Sequence, residues 1–134
     1  MAQSAELKLD GKKSDLRYVN YRFHRGSEET GKPSTRVKRG EITITKDSLY
    51  DKGSFTTWMS DPDMAKDGEI IIYNDEKKEK PMKTIKWTNG FIIAYEETFS
   101  HETAAANTLE TFTISSEKIE IDSAKFDFVW PKES

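Results

Sequence analysis

The stretch that decides the fold is TFTISSEKIEI at residues 111–121. Its apolar side chains alternate with polar ones, first as Phe112 and Ile114 and then as Ile119 and Ile121. Such alternation is typical of a half-buried β-strand, because successive side chains of a strand point to opposite faces of the sheet. The phase changes between the two pairs, so the stretch predicts one long strand with a bulge or a face switch near the Ser-Ser pair in its middle.

The same alternation recurs along most of the chain and predicts seven or eight strands. Ile70–Tyr73 is an unbroken apolar run, which predicts a strand buried on both faces. Asp10-Gly11 predicts a turn, and Asn89-Gly90 predicts a hairpin with its return strand at 91–99. The alternating positions of the other strands are Leu7 and Leu9; Val19, Tyr21 and Phe23; Ile42 and Ile44; Ile85 and Trp87; Phe126, Phe128 and Trp130.

One short helix is predicted in the middle of the chain. Ser54 can cap its N-terminus, and Phe55, Trp58 and Met59 share one helical face because they are three and four residues apart. Asp61-Pro62 ends the helix, since the residue before a proline avoids helical backbone angles. A helix of about two turns is not stable alone in water, so we expect its apolar face to pack on the sheet.

These elements predict a mainly β protein, a compact antiparallel β-barrel of seven to eight strands with one short flanking α-helix. A closed or nearly closed barrel is expected, because closure removes exposed edge strands. The 134 residues contain no repeat and no linker, so we expect a single domain over residues 5–130. No apolar run approaches the roughly 20 residues of a membrane-spanning helix, and no signal-peptide core precedes the first strand, so no membrane insertion is expected.

Charge is distributed unevenly along the chain, although the net formal charge is only −3. Residues 12–39 carry nine Lys or Arg and three Asp or Glu, whereas residues 90–134 carry three Lys and nine Asp or Glu. The basic part includes the Gly- and Pro-containing segment 26–40, which predicts a long loop, and loops of this length are usually functional. Two solvated polar faces are one interpretation of this pattern. Self-association, with the basic loop of one copy on an acidic face of the next, is another.

Nucleic-acid binding is a third interpretation, because aromatic and arginine side chains interleave over residues 17–25. Alternation, however, places Val19, Tyr21 and Phe23 on one face, where packing in the core is the simpler role. The acidic remainder of the chain would also repel phosphate. No nucleic acid is therefore expected as a partner.

Residues that catalysis or metal binding would require are few. The chain has no Cys, and its two histidines, His24 and His101, share no motif. His101-Glu102 lacks the second histidine of a zinc-protease helix, and Asp61–Asp67 departs from a calcium loop at two positions. The three tryptophans could line a ligand pocket, but we interpret them as core residues. We therefore expect no catalytic residue, no cofactor and no metal.

Five segments of the chain, in this order, resemble one bacterial family. They are LKLDGK at 7–12, GKPSTRVKRGEITIT at 31–45, TWM at 57–59, GEIIIY at 68–73 and TFTISSEKIEI at 111–121. Together they are similar to the tube protein of type VI secretion systems, the haemolysin-coregulated protein (Hcp, TssD) family. The resemblance covers roughly residues 5–130, and the chain departs from the family pattern after it.

The resemblance implies a structural protein and not an enzyme. It implies a homohexameric ring that stacks into a tube, with sheath, spike and baseplate proteins as partners and effector proteins in the lumen. The subunit would be assembled in the bacterial cytoplasm and secreted through the contractile apparatus without a signal peptide. By position, the loop 26–40, with Lys32, Arg36, Lys38 and Arg39, corresponds to the segment that reaches the adjacent ring. We expect ring closure to be more apolar than this stacking.

Two other functions fit the same sequence. A tail-tube protein of a phage or phage-like particle would share the barrel and the ring, and genome neighbours would separate it from a secretion tube. A monomeric ligand-binding β-barrel of the lipocalin type would need a dry apolar cavity. With 34% apolar residues, the chain can hardly supply both that cavity and a core.

Overall fold

A computed structural model of the chain describes residues 3–25, 37, 39–47, 54–100 and 107–128. Within these ranges the chain forms eight strands and one helix, as the alternating pattern predicts. The elements are β1 (Ser4–Leu9), β2 (Lys12–Asp15), β3 (Tyr18–His24), β4 (Arg39–Asp47), α1 (Ser54–Ser60), β5 (Lys66–Tyr73), β6 (Pro81–Ser100), β7 (Asn107–Ile121) and β8 (Ala124–Asp127).

All eight strands belong to one antiparallel sheet in the order β2-β1-β5-β6-β7-β4-β3, with β8 also paired to β7. The predicted long strand is confirmed as β7, which pairs with β6 along its whole length. On its other side, β7 pairs first with β4, from Leu109 to Ser115, and then with β8, from Lys118 to Ile121. The strand β7 therefore connects the part of the sheet with β2, β1, β5 and β6 to the part with β4 and β3.

The predicted change of phase within β7 is confirmed and falls between Ser116 and Ile119. Buried positions are even-numbered up to Ser116 and odd-numbered from Ile119 onward. On β6, the buried positions change in the same way between Trp87 and Gly90. Thr88 pairs with Lys118 and Gly90 with Ser116, so both strands change phase at the same level of the sheet.

The hairpin predicted at Asn89-Gly90 is wrong, because β6 runs through this position without turning. The φ angle of Asn89 is +55°, but Gly90 does not adopt a positive φ, whereas the predicted turn requires positive φ at both residues. Asn89 instead lies where the register between β5 and β6 shifts. Its backbone N–H donates to Asp67 Oδ1 at 2.8 Å, and its Nδ2 donates to Glu117 Oε2 at 2.7 Å. The turn predicted at Asp10-Gly11 is confirmed, with both residues at positive φ.

The predicted closure into a barrel is also wrong. The edge strands β2 and β3 are consecutive in the chain, yet within the described ranges they do not pair with each other. Leu16 still donates its N–H to Ala5 of β1 (3.0 Å), whereas Arg17 already donates to Thr45 of β4 (2.9 Å). The backbone thus changes partner within two residues, which leaves β2 and β3 as separate edges.

The core lies between the two ends of the curved sheet, where Tyr21 of β3 accepts a hydrogen bond from Lys83 Nζ of β6 at 3.3 Å. The ring of Phe23 likewise stacks on Phe126 of β8, with centroids 4.0 Å apart. In the run Ile70–Tyr73, the two end residues are buried and the middle two are half-buried, so burial on both faces is only partial. The buried apolar residues are Leu7, Ile42, Ile44, Phe55, Trp58, Ile70, Tyr73, Ile85, Trp87, Ile92, Phe112, Ile114, Ile119 and Phe128.

Helix α1 ends at Ser60, before Asp61-Pro62, as predicted. Two residues of the predicted apolar face are buried: Phe55 stacks on Phe112 with ring centroids 4.6 Å apart, and Trp58 donates its indole N–H to the carbonyl of Met64 at 3.0 Å. The third, Met59, is 41% exposed, so its place on the buried face is a wrong prediction. The core role of the tryptophans is confirmed for Trp58 and Trp87, while Trp130 and the side chain of Ser54 lie outside the described residues.

Trp87 occupies a space that two glycines leave open. A Cβ atom added to Gly68 would lie 2.2 Å from the indole ring, and one added to Gly90 would lie 2.5 Å from it. The ring is held in place because its N–H donates to the carbonyl of Lys66 at 2.9 Å. The close approach of these strands at the phase change therefore requires glycine at both positions.

Gly68→Ala is expected to lower the free energy of unfolding by about 1–3 kcal/mol, because the added methyl group overlaps the buried Trp87 ring. Urea unfolding followed by tryptophan fluorescence measures the change. Thr88→Ala, an exposed substitution next to Trp87, is the matched control and is expected to change stability by less than about 0.5 kcal/mol. Equal stability of Gly68→Ala and the unaltered protein would contradict the close contact.

Candidate functional site

The residues predicted to stack rings are only partly within the described structure. Lys32, Arg36 and Lys38 lie outside the described residues. Arg39 is exposed, but it is the first residue of β4 and pairs with His24, so the end of the predicted loop is wrong by two residues. Gly40 is also a residue of β4, where it is buried against the rings of Phe23 and Phe128.

The sheet has a four-stranded half that extends beyond β5. The last residue of β6 that pairs with β5 is Gly90, and β6 then continues to Ser100 in register with β7. With β4 on the other side of β7 and β3 beyond it, this part has the order β3-β4-β7-β6. We call it the half-sheet; its two edges in the described chain are β3 and residues 91–100 of β6.

The two edges of the half-sheet carry opposite charge. Residues 17–25, which contain β3, include Arg17, Arg22 and Arg25 and no Asp or Glu. Residues 91–100 include Glu96 and Glu97 and no Lys or Arg. All five of these side chains are exposed. The two edges therefore differ in the sign of their exposed charged side chains, and Arg17 and Arg22 are partly offset by Asp47 and Glu41.

Both edges also present apolar surface. Five large hydrophobic side chains are exposed in the described part of the chain, and three of them lie on these edges. Tyr18 of β3 is 52% exposed, and Ile93 and Phe99 of β6 are 51% and 65% exposed. Ile93 lies at a shift of register between Ile92 and Ala94, the kind of bulge that redirects a side chain. Exposed apolar side chains flanked by charges are typical of protein contact surfaces.

The face of the half-sheet opposite the core is polar and nearly neutral. The hydroxyls of Thr43 and Thr113 are 3.1 Å apart, and those of Thr45 and Thr111 are 3.0 Å apart. Two ion pairs flank this hydroxyl band, Arg22 with Glu41 (3.3 Å) and Arg17 with Asp47 (2.7 Å). The hydrogen bond that Arg17 donates to Asp47, and then the charge of Asp47, raise the pKa of Arg17.

A buried polar cluster lies on the core side of the same half-sheet. Lys46 of β4 donates to Glu110 Oε1 of β7 at 2.9 Å, and Tyr95 of β6 donates its hydroxyl to Glu110 Oε2 at 2.6 Å. Glu110 is fully buried and Lys46 is 4% exposed. The ammonium group of Lys46 also lies 4.9 Å from the centre of the Phe55 ring of helix α1. The cluster thus ties three strands and the helix together.

The other part of the sheet presents charges of alternating sign on its outer face. Glu69 lies between Lys8 at 3.8 Å and Lys86 at 3.7 Å. A shallow groove of about 340 Å³ runs beside these residues, lined also by Asp67, Trp87, Thr88 and Glu120. The lining has two lysines and three carboxylates, so its charges largely cancel and the groove has no strong preference for a charged ligand.

Residues considered for metal binding have other roles where they are described. Asp61 accepts a hydrogen bond from the N–H of Asp63 at 2.9 Å, which is a turn after the helix, and His101 lies outside the described residues. Within the described ranges, no three His, Asp or Glu side chains are placed to hold a metal ion. Across the same ranges, α1 is much too short and polar to cross a membrane.

A family model described as haemolysin-coregulated protein Hcp (TssD) matches residues 1–131. The chain belongs to the Hcp (TssD) family. Among solved structures, it is similar to Hcp1 from Flavobacterium johnsoniae, with 27% identity, a TM-score of 0.81, and coverage of 92% of this chain and 98% of that one. A search of curated proteins gave no match.

More distant structures share the fold of this Hcp chain. Hcp1 from Salmonella typhimurium is 12% identical, with a TM-score of 0.72 and coverage of 95% of this chain and 96% of that one. A chain of the sheath–tube complex of an extracellular contractile injection system is 14% identical, with a TM-score of 0.62 and coverage of 90% and 88%. The predicted family and function are therefore confirmed: this Hcp protein is a tube subunit of a secretion system.

Membership of the family has further consequences at a coarse level. Hcp is a structural family, its members self-assemble into tubes with components of a contractile system, and they are secreted through such systems. The sequence predicted a contact surface in the loop 26–40, which stays a prediction, and it did not point to the charged and apolar edges of the half-sheet. The sequence feature that could have indicated the acidic edge is the pair Glu96-Glu97 near Phe99. Strict alternation of polar and apolar residues does not account for two adjacent glutamates.

Lys46→Met and Glu110→Leu are each expected to lower the free energy of unfolding by about 3–5 kcal/mol, because each leaves its buried partner without a counter-charge. The double variant is expected to lose much less than the sum, since no buried charge remains. Chemical unfolding of the four proteins measures the coupling. Strictly additive losses would contradict a direct buried pair.

Proposed function

We propose that this Hcp subunit forms homohexameric rings in which the β3 edge of one copy meets the β6 edge of the next. The observation that carries the proposal is the opposite charge of the two edges of the half-sheet. A contact between two different surfaces is heterologous, and repeated heterologous contacts close into a ring when the rotation between copies allows it. The family supplies the expectation of a ring, and the edges supply a surface for its closure.

The direction of the strands is compatible with such a contact. Within the half-sheet, three successive antiparallel pairings separate β3 from β6, so these two strands run in opposite directions. A copy placed beside another in the same orientation therefore brings an antiparallel pair of edge strands together. The half-sheets of neighbouring copies would continue one antiparallel arrangement around the ring.

The composition of the edges suits a stable ring. Tyr18 on one edge and Ile93 and Phe99 on the other provide apolar area, and the arginine and glutamate side chains beside them select the partner. Apolar contact supplies most of the affinity of an interface, whereas charge supplies specificity and the rate of encounter. The proposed ring contact is accordingly more apolar than contacts made by the basic loop.

The remaining partners follow from the same proposal. The loop 26–40, with Lys32, Arg36, Lys38 and Arg39, contacts the adjacent ring, and the stacked rings form a tube enclosed by the sheath and joined to spike and baseplate proteins. Effector proteins occupy the lumen. The subunit assembles in the bacterial cytoplasm, leaves through the contractile apparatus, and has no catalytic role. The structural likeness to an extracellular injection-system tube keeps a phage-like particle as the second candidate.

A charge-swap experiment tests the ring contact. Glu96→Lys with Glu97→Lys gives one variant with two basic edges, and Arg22→Glu with Arg25→Glu gives another with two acidic edges. Each variant alone is expected to remain monomeric, because like charges meet at the contact. An equimolar mixture is expected to form rings, since the two variants can alternate around a ring with an even number of subunits.

Mass photometry of each variant and of the mixture measures the oligomeric state, and circular dichroism checks that each variant is folded. Lys125→Glu, on exposed β8 outside the half-sheet, is the control for a charge change alone and is expected to form normal rings. Rings formed by either folded charge-swap variant alone would contradict the proposed contact.

A second experiment separates stacking from ring closure. Charge reversal at Arg36, Lys38 and Arg39 is expected to leave rings intact and to block tube growth, because contacts between exposed charges depend on complementary sign and are screened over about 8–10 Å in salt. Size-exclusion chromatography detects the rings and negative-stain electron microscopy detects the tubes. Monomers in place of rings, or tubes of normal length, would refute the assignment of the loop.

A further inference from the structure

We propose that Tyr95, Glu110, Lys46, Asp47 and Arg17 form one polar network that positions both edges of the half-sheet for ring closure. The proposal rests on the ring contact described above and adds the residues that hold its two surfaces in place. The core-side members of the network, Tyr95, Glu110 and Lys46, do not contact the neighbouring copy. Their role is that of positioning residues.

The network runs from β6 to Arg17, the residue before β3, and passes from the core side of the half-sheet to its outer face through Asp47. The Tyr95 hydroxyl on β6 donates to Glu110 Oε2 (2.6 Å), and Lys46 Nζ on β4 donates to Glu110 Oε1 (2.9 Å). Lys46 Nζ also donates to the carbonyl oxygen of Asp47 at 2.9 Å. The Asp47 carboxylate accepts two hydrogen bonds from the Arg17 guanidinium, at 2.7 and 3.4 Å.

The two ends of this network are next to the residues proposed to meet across the ring. Tyr95 directly precedes Glu96 and Glu97 on the acidic edge, and Arg17 directly precedes Tyr18 on the basic edge. Strand register places these ends at one level, since Glu97 pairs with Glu110, Glu110 pairs with Lys46, and Tyr18 pairs with Thr45. A substitution at Lys46 or Glu110 is therefore expected to shift the charges of both edges along the strand direction.

The central ion pair has few alternative arrangements. Glu110 is fully buried, so its carboxylate has lost the solvation free energy that water would supply. Its hydrogen-bond donors compensate for that loss and must be kept. Lys46 is confined from the other side by the Phe55 ring, which itself stacks on Phe112. In this subunit the buried pair is proposed to fix the geometry of the half-sheet, a role separate from any gain in stability.

Positioning and stability can be separated by replacing the charges with apolar side chains of similar size. In Lys46→Met with Glu110→Leu, no buried charge is left unpaired, so the monomer is expected to fold with stability near that of the unaltered protein. The ring is expected to dissociate at a concentration about 5-fold higher or more, because the edges are no longer held at a fixed position. A purely structural role would leave ring dissociation unchanged in a folded variant.

The test measures ring dissociation by mass photometry over a dilution series and thermal unfolding on the same samples. Tyr95→Phe is the second variant, because it removes one hydroxyl and cannot unpair Lys46 from Glu110. Loss of this donor to a buried carboxylate is expected to lower the unfolding temperature. Ring dissociation is therefore compared at a temperature at which both proteins are fully folded, and there the rings of the variant are expected to dissociate more readily. Tyr73→Phe, at a buried tyrosine of β5 outside the half-sheet, is the matched control and is expected to leave dissociation unchanged.

The outcomes distinguish this inference from the ring proposal. If the unaltered protein forms no rings, the ring proposal fails and the network has nothing to position. If the unaltered protein forms rings and the folded double variant forms them with the same dissociation, only the network is overturned. If the double variant does not fold, Tyr95→Phe decides: weaker rings support the network, and unchanged rings overturn it.

Discussion

The pairing of β6 with β7 is the constraint on which the rest of the structure depends. These two strands are the longest in the described chain, and every other strand is arranged on one side or the other of their ladder. Their buried positions change phase together, at the level where Trp87 lies against Gly68 and Gly90. Because both strands change phase at the same level, they can pair along their whole length and belong both to the part of the sheet that contains β5 and to the half-sheet beyond it. Without the extension of β6 past Gly90, the acidic edge would not exist.

Local patterns in the sequence were sufficient for the strands and the helix, and they failed where long-range pairing decides. Asp10-Gly11 and Asn89-Gly90 carry similar turn signals, yet only the first makes a turn. The difference is that β7 offers the chain around Asn89 a continuous partner on both sides of the irregularity, so strand pairing outweighs the local preference. Closure of the sheet failed as a prediction for the same kind of reason. The partners of Leu16 and Arg17 are set by the curvature of the sheet, which no local pattern encodes.

The charge pattern predicted that opposite poles exist but could not locate them. Counting over residues 90–134 adds Glu110, which Lys46 neutralises in the core, to Glu96, which is exposed on an edge. On the basic side, Arg17 and Arg22 already pair within the chain, with Asp47 and Glu41. Only the structure shows which charged side chains form ion pairs within the chain and which are exposed without one of these pairs. With these pairs taken into account, Arg25 on the basic edge and Glu96 and Glu97 on the acidic edge are the exposed charges left to distinguish the two edges.

The arrangement of the edges also bears on how a protein with open sheet edges avoids unwanted association. An exposed edge strand is a template for pairing with any other strand, and natural proteins limit this with charge. In this Hcp subunit the exposed charged side chains of each edge have one sign, although Asp47 and Glu41 offset two of the three arginines, so contacts between like edges are weakly repulsive. Symmetric dimers through either edge are disfavoured, and only the contact between unlike edges is attractive. When only unlike edges attract, subunits associate head to tail and not as symmetric dimers. Head-to-tail association can close into a ring, and a closed ring removes both edges from solvent.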